Sequence, residues 1–216
     1  MLEINKIHLG DCLELMKELP DKCIDLVLTD PPYGIGEAKG KNISRGKLAE
    51  ATNYGIKDWD DKIPEKIYFD EIFRVSKNQI IFGGNYFVEY LTNSSCWIVW
   101  DKNNTGDFAD CELAWTSFKS AVRKYRWTWN GMLQENMKFK EKRIHPTQKP
   151  VGLFEMILRD YSNENDLIFD CFSGSGTTAI ASHNLKRRFI CIEKDYDYWK
   201  ASVERLENEQ AQLRLF

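Results

Sequence analysis

Asp30, Pro31, Pro32 and Tyr33 follow directly on the apolar run Ile24-Asp25-Leu26-Val27-Leu28, which reads as a buried strand. A turn needs only one proline, so a carboxylate, two successive prolines and an aromatic ring at a strand end ask for a chemical reason. Proline fixes φ and carries no N–H, which makes this corner stiff and poor in donors. A second group lies far along the chain. Gly174-Ser175-Gly176, with Ala179 three residues on, fits the G-x-G-x-x-A pattern between the strand Leu167-Ile168-Phe169-Asp170 and a helix, and Glu193 ends the next strand. Glycines allow the tight turn and a close approach of backbone N–H groups to a ligand, and the acid is placed to accept hydrogen bonds from ribose hydroxyls. Together they point to a nucleoside-containing cofactor, with NAD and S-adenosylmethionine both open. The latter has no phosphate, so Asp170 and the glycines would then face an amino-acid tail.

The elements that must position these groups alternate in type. Lys6 to Leu9 reads as a strand, Gly10-Asp11 as punctuation, and Cys12, Leu15, Met16 and Leu19 recur at helical spacing up to Pro20, giving with Ile24–Leu28 a βαβ opening. A helix over Ile67–Phe73 precedes the strand Gln79–Phe82, stopped by Gly83-Gly84. Cys96–Trp100, ending on Asp101, repeats that form, and Glu112–Thr116 is a further candidate strand. Val151, Phe154, Ile157, Leu158 and Tyr161 mark a helix, Ala179–Asn184 another, Arg188–Glu193 a strand, and Tyr198 to about Ala211 a last helix. Between Gly36 and Asp61 the chain is polar and lacks strong periodicity, as in a functional lid or an excursion from the fold.

With 216 residues the chain suits a single sizeable α/β domain. Its 30 Lys and Arg against 33 Asp and Glu, a net charge of -3, exclude a molecule that binds polyanions with its whole surface. Any such contact needs a local patch, and residues 119–149 offer one, with nine basic and two acidic side chains. Tyr125, Trp127 and Trp129 are interleaved there as stacking groups or, alternatively, as aromatics turned into the core behind a solvated rim. The six cysteines form no CxxC pair and read as reduced core residues without a metal. An N-terminus without an apolar leader, and the absence of a run long enough to span a bilayer, lead us to expect a cytoplasmic protein with no membrane contact.

TDPPYG behind a strand, combined with FDCFSGSGTT and the IE of Ile192-Glu193, resembles the S-adenosylmethionine-dependent DNA amino-methyltransferases. The order, catalytic motif first and cofactor turn later, resembles their β class. HLGDCLELM, WIVWDK and IHPTQKPVGLFEMIL extend the resemblance nearly end to end, with residues of about 36–66 and 103–143 lacking a counterpart. It implies a doubly wound, mostly parallel, seven-stranded Rossmann-like sheet, circularly permuted, in one domain over 1–216. The inserted loop 36–66 would close on DNA and 103–143 would form a small target-recognition region.

For chemistry the resemblance implies that Asp30 accepts a hydrogen bond from an exocyclic amine, the Pro31 carbonyl accepts the other, Pro32 keeps the frame rigid and Tyr33 stacks on a base flipped out of the duplex. Transfer is then a direct displacement on a sulfonium methyl, on N6 of adenine, since N4-cytosine enzymes more often resemble Ser-Pro-Pro-Tyr. Asp170, Phe172, Gly174 and Gly176, with Ser173 and Thr177 of the same turn, would hold the methionine tail of S-adenosylmethionine, Glu193 the ribose, and Asp11 and Cys12 the adenine. Thr147 and Lys149 would line its amino-acid end, with Asp30 also among the cofactor-binding residues; no metal is implied. Asp11 alone also reads as a helix N-cap, and His145 as a loop histidine with no acid–base role. Double-stranded DNA would meet Lys39, Lys41, Arg45, Lys119, Arg123, Lys124, Arg126, Lys138, Lys140, Lys142 and Arg143. Relatives of this class, bacterial or phage-encoded, are often homodimers. Gln212-Leu213-Arg214-Leu215-Phe216 resembles the peptide that docks replication proteins on the bacterial sliding clamp, unless Leu213, Leu215 and Phe216 fold back on their own domain. Three rival readings are N4-cytosine methylation by the same frame, an NAD-linked oxidoreductase, which leaves Asp30–Tyr33 idle, and a non-catalytic DNA-binding regulator.

Overall fold

Successive residues of the central strands point to two different cores. Leu26, Leu28, Ile80, Phe82 and Ile168 face one, and Val27, Ile81, Leu167 and Phe169 face the other, which is the period-two signature of a sheet covered on both sides. The computed structural model describes residues 2–36, 57–103, 109–130 and 133–212. In chain order the elements are β1 (Lys6–Leu9), α1 (Cys12–Met16), β2 (Ile24–Thr29), α2 (Lys66–Val75), β3 (Ser76–Phe82), β4 (Trp97–Asp101), β5 (Cys111–Thr116), β6 (Arg123–Arg126), β7 (Trp129–Asn130), β8 (Leu133–Gln134), α3 (Val151–Tyr161), β9 (Leu167–Asp170), α4 (Thr177–Asn184), β10 (Arg188–Glu193) and α5 (Tyr196–Ala211).

Among the described residues the main sheet has eight strands in the order β1-β10-β9-β2-β3-β5-β4-β6, and β7 and β8 form a separate small ribbon. All neighbours pair in parallel except those of β5, which runs against both β3 and β4. The fold is thus doubly wound and Rossmann-like, with the strand that carries the proline turn, β2, ahead of β9 in the chain. The expected count of seven strands is corrected by β6. Its sequence, RKYR, buries only Tyr125, which is all an edge strand requires, and its charges suit an unpaired edge.

Helices α1 and α2 pack on the face of Val27 and Ile81, where Met16, Phe69, Ile72 and Val75 are fully buried. On the opposite face lie α3, α4 and α5, which bring Leu153, Phe154, Ile157, Ile180 and Leu206 to the core. Phe154 stacks on Phe82 with ring centroids 5.4 Å apart, and burial of such a ring contributes about 2–3 kcal/mol. Parallel strands send every loop that follows β1, β2, β3, β9 and β10 to the same edge. Antiparallel β5 begins at that edge, so Cys111 and Glu112 join the groups at which its neighbours end.

Of the two readings of the aromatics at 125–129, the structure shows the inward one. Tyr125 is buried and donates its hydroxyl to Asp160 at 2.5 Å, Trp129 is buried and donates to the Gln148 carbonyl at 2.9 Å, and Trp127 lies over the start of α3. A Cβ on Gly152 would come within 2.1 Å of the Trp127 indole. Gly152→Ala therefore expels that ring, and chemical denaturation will show a loss of roughly 1–3 kcal/mol.

Candidate active site

Asp30 leaves the end of β2 stiffened by Pro31 and Pro32, with its side chain 17% exposed. Its two oxygens are both engaged: the Tyr33 hydroxyl donates to Oδ1 at 2.6 Å and Lys149 Nζ to Oδ2 at 2.5 Å. Burial raises the Asp30 pKa above the usual carboxylate range, with Lys149 opposing. Burial alone would push the Lys149 ammonium down, but Asp30 and Glu112 outweigh it and keep the lysine charged above its ordinary value. The Tyr33 ring stacks on Tyr86 with centroids 4.8 Å apart and planes 13° from parallel. It lies so close to Gly83 that a Cβ there would fall 2.1 Å from the ring, and Gly83 also has φ +68°. Only glycine allows this seat.

The second half of the site surrounds the glycine turn between β9 and α4. Asp170 accepts from the Thr29 hydroxyl at 2.7 Å, the Thr178 hydroxyl at 2.5 Å and the Phe172 N–H at 3.1 Å. Burial lifts its pKa to about 6. Expected as a ligand of the amino-acid tail, Asp170 is first a brace between β2 and α4. Glu193, at the end of β10, accepts from the Gly174 N–H at 2.7 Å and from the Asp195 N–H at 2.8 Å, and burial raises its pKa. Asp11 caps α1 through the Leu13 N–H at 2.9 Å and also meets Lys194 at 2.8 Å, so the N-cap and the pocket wall are one residue. His145 is buried between Trp59, 4.9 Å away, and Tyr198, 4.3 Å away, and its Nδ1 faces the Thr147 N–H and hydroxyl. Burial lowers its pKa to about 3, which keeps the ring neutral.

These halves open into one cleft of 1740 Å³ at the strand ends. Asp11, Cys12, Asp30, Pro31, Pro32, Tyr33, Thr147, Lys149, Asp170, Phe172, Ser173, Gly174, Thr177 and Glu193 all line it. Gly176 is the exception: it caps α4 at φ +74°, and its missing Cβ would point at Ser202 and Ile7, so it serves the turn and the packing of α5. Nine acidic and six basic side chains line the cleft.

The expected DNA-contacting cations separate by edge. Lys119 borders a hollow with Arg159 and Asp160, and Arg123 pairs with Ile98 at the start of β4, which puts both at the edge opposite the cleft. This corrects their place in the patch: β6 runs parallel to β4, so it enters at the far edge and only its end reaches the site. Lys124 pairs with Asp101 at 3.0 Å and Arg126 donates to Asn103 at 2.7 Å, while Lys138, Lys140 and Lys142 are exposed. Arg143 lies over Trp129 in the cleft wall. Lys39, Lys41, Arg45, Leu213, Leu215 and Phe216 lie outside the described residues.

Several cleft residues carry no motif. Residues of the stretch 57–65 line the cleft. Lys57 reaches Asp195 at 2.5 Å, Trp59 packs on His145, and Asp60 accepts from the Gly34 N–H at 2.9 Å. Glu112 and Lys102 meet behind Lys149. A hint of Glu112 lay in its position, an acid opening an otherwise apolar strand.

The sheet, the crevice and the acid-bearing proline turn define a Rossmann-like methyltransferase domain. A sequence model of the family described as DNA methylase, of the N6/N4 type, matches residues 99–204. Type II methyltransferase M1.MboII of Moraxella bovis is 29% identical over 251 residues, covering 92% of this chain and 95% of its own. M.HinfI of Haemophilus influenzae is 27% identical over 253 residues, covering 94% and 68%. The crystal structure of the M1.HpyAVI–SAM complex superposes with a TM-score of 0.58 at 26% identity over 93% of this chain and 99% of that one. The cytosine-N4-specific PvuII DNA methyltransferase shares the fold, with a TM-score of 0.61 at 16% identity over 94% and 90%. Sequence and fold alike thus support an S-adenosylmethionine-dependent DNA amino-methyltransferase of the N6/N4 type.

Buried neutral His145 has a consequence for acid stability. The unfolded chain binds a proton near pH 6.5 that the folded ring takes up only near pH 3, so stability is fully present above 6.5 and is lost as the pH falls through that window. The slope approaches about 1.4 kcal/mol per pH unit. His145→Gln removes that slope in denaturant titrations from pH 7 to pH 4, whatever it does to stability at neutral pH.

Proposed function

We propose that the protein transfers a methyl group from S-adenosylmethionine to N6 of adenine in double-stranded DNA, acting on a nucleotide rotated out of the helix into the cleft. The observation that carries this reading is that Asp30 and the Gly174–Glu193 pair open into the same space. The donor set suits a cationic sulfonium cofactor. The Gly174 N–H is taken by Glu193 and carboxylates outnumber cations in the lining, which favours a sulfonium and an ammonium over a pyrophosphate. This also argues against the NAD-linked alternative. The SAM complex of M1.HpyAVI is a further support.

Glu193 would hold the ribose, Asp11 and the buried Cys12 the adenine, and the turn Asp170–Thr177 with Thr147 the methionine tail. When bound, S-adenosylmethionine supplies an electrophilic methyl group on sulfur. The chain's own residues do the rest by aim. The amine of adenine is a weak nucleophile because its lone pair is spread into the ring, and acceptors on its two hydrogens return density to nitrogen. Asp30 accepts one N–H and the Pro31 carbonyl the other, and the prolines hold both acceptors still. Tyr33 offers its ring to the base, fixed by Tyr86 and Gly83. Stacking offsets part of the few kcal/mol that extrusion of a base costs, and alignment supplies most of the rate. An acid at position 30 supports adenine over cytosine, and the Type II methyltransferases among the relatives support a place in restriction–modification.

The test is transfer of labelled methyl groups to DNA followed by nucleoside analysis. Label in N6-methyladenine is expected; label in N4-methylcytosine overturns the base assignment, and no transfer overturns the reading. Asp30→Ala lowers the rate by about 10²–10⁴-fold while cofactor binding, read by calorimetry, persists.

For DNA binding the two edges differ. Lys140→Ala weakens binding across sequences and reduces the slope of log K against log salt by about 1, whereas Lys119→Ala leaves the slope unchanged. Fluorescence anisotropy over a salt series measures both.

A further inference from the structure

Glu112 arrives at the cleft because β5 runs against its neighbours, and it meets two ammonium groups there. Lys102 engages Oε1, and Lys149 Nζ lies 3.2 Å from Oε2. The same Lys149 Nζ is 2.5 Å from Asp30 Oδ2, and the Tyr33 hydroxyl occupies Oδ1 at 2.6 Å. Lys102, Glu112, Lys149 and Asp30 thus form one chain of alternating charge, ending at the carboxylate that the proposed function assigns to the amine, where the Tyr33 hydroxyl also donates. An amine displaces a donor from Asp30 only where that donor has somewhere to go. Tyr33 is held by its stack on Tyr86 and its seat on Gly83. Lys149 is on an unbranched chain with a second carboxylate beside it. A buried ammonium that left its sole partner would become an uncompensated charge, which is strongly disfavoured.

We propose that Glu112, anchored by Lys102, is a positioning residue that takes over the Lys149 ammonium and so frees Asp30 Oδ2 for the amine of the target base. Glu112 is suited to this role because it is ionised: burial works to raise its pKa, and the two lysines outweigh burial. The other titratable groups that face the chain are His145 on the side of Lys149, Asp170 next to Asp30, and Tyr86 behind Tyr33. None of these supplies a second anion within ion-pair distance of Lys149 among the described residues. The inference rests on the methyl-transfer reading of Asp30.

Glu112→Gln keeps the shape and removes the charge. With Lys149 confined to Asp30, single-turnover methylation at saturating cofactor is expected to fall roughly 10-fold or more. The acid limb of its pH profile is expected to move to lower pH, since loss of a neighbouring negative charge makes Asp30 easier to ionise. Glu112→Asp restores part of the rate. A rate and acid limb equal to wild type overturn the proposal, as does full recovery in the double variant Glu112→Gln, Lys102→Met, which would mean that charge balance alone matters. Nitrogen-15 NMR of the lysine side chains in the free protein gives a readout independent of turnover. Lys149 is expected to titrate at lower pH in Glu112→Gln than in wild type, and an unchanged titration overturns the inference. Should wild type methylate no DNA, the proposed function fails while this titration still decides whether Glu112 holds Lys149.

Discussion

β2 and β9 come from opposite ends of the chain and lie side by side, with Leu26 against Ile168 and Val27 against Phe169. At the end of that pairing the Thr29 hydroxyl reaches Asp170 at 2.7 Å, across 141 residues of sequence. The chain leaves β9 into α4 on one face of the sheet and reaches β3 from α2 on the other, so a crevice opens between the two strand ends. Both functional groups hang from this junction. Asp30 follows Thr29 directly, and the glycine turn follows Asp170. Asp170 accepts three internal donors, and Thr178 ties α4 to the same carboxylate at 2.5 Å. A shift at this brace would move Asp30 and the glycine turn relative to one another.

The charges around the junction are arranged for geometry more than for stability. Lys149, with a side chain only 6% exposed, sits between Asp30 and Glu112. Burying such groups costs several kcal/mol per ion, and their attraction returns this only when the geometry is good, so a buried pair is weak evidence of a stability gain. What it does is hold directions: two carboxylates and two ammonium groups leave few arrangements without an unpaired charge. Glycine plays the same part sterically. At Gly83 the absence of a side chain lets Tyr33 lie against the backbone, and at Gly174 the N–H turns to Glu193.

How far this was legible in the sequence depended on the kind of signal. β2, β9, β10 and the Ile80–Phe82 end of β3 are largely apolar on both faces, and such runs announce themselves. The proline turn and the glycine turn could be read because their backbone demands restrict residue type. β6 escaped because a charged edge strand buries a single residue, and Lys119 and Arg123 were grouped with the front cations because composition carries no direction. Strand direction also hid Glu112. Nothing in CELAWT says that β5 runs backward, and only that reversal brings its acid to the edge where Asp30 lies. Gly176 matched a motif position, yet the motif does not say which glycine faces ligand and which faces a neighbouring helix.

Residues 57–65 add a constraint from the solvent side. Asp60 accepts the Gly34 N–H with its side chain and the Gly36 N–H with its carbonyl, which fixes the far end of the proline turn. Lys57 holds Asp195, the residue that caps α5 and donates its N–H to Glu193. Trp59 covers His145 between them. One short limb therefore bridges the proline turn and Glu193 along the cleft, while the β2–β9 junction bridges Asp30 and the glycine turn beneath. Alignment within tenths of an ångström is what direct displacement demands, and a site anchored at floor and roof keeps it without relying on the bound molecules to impose it.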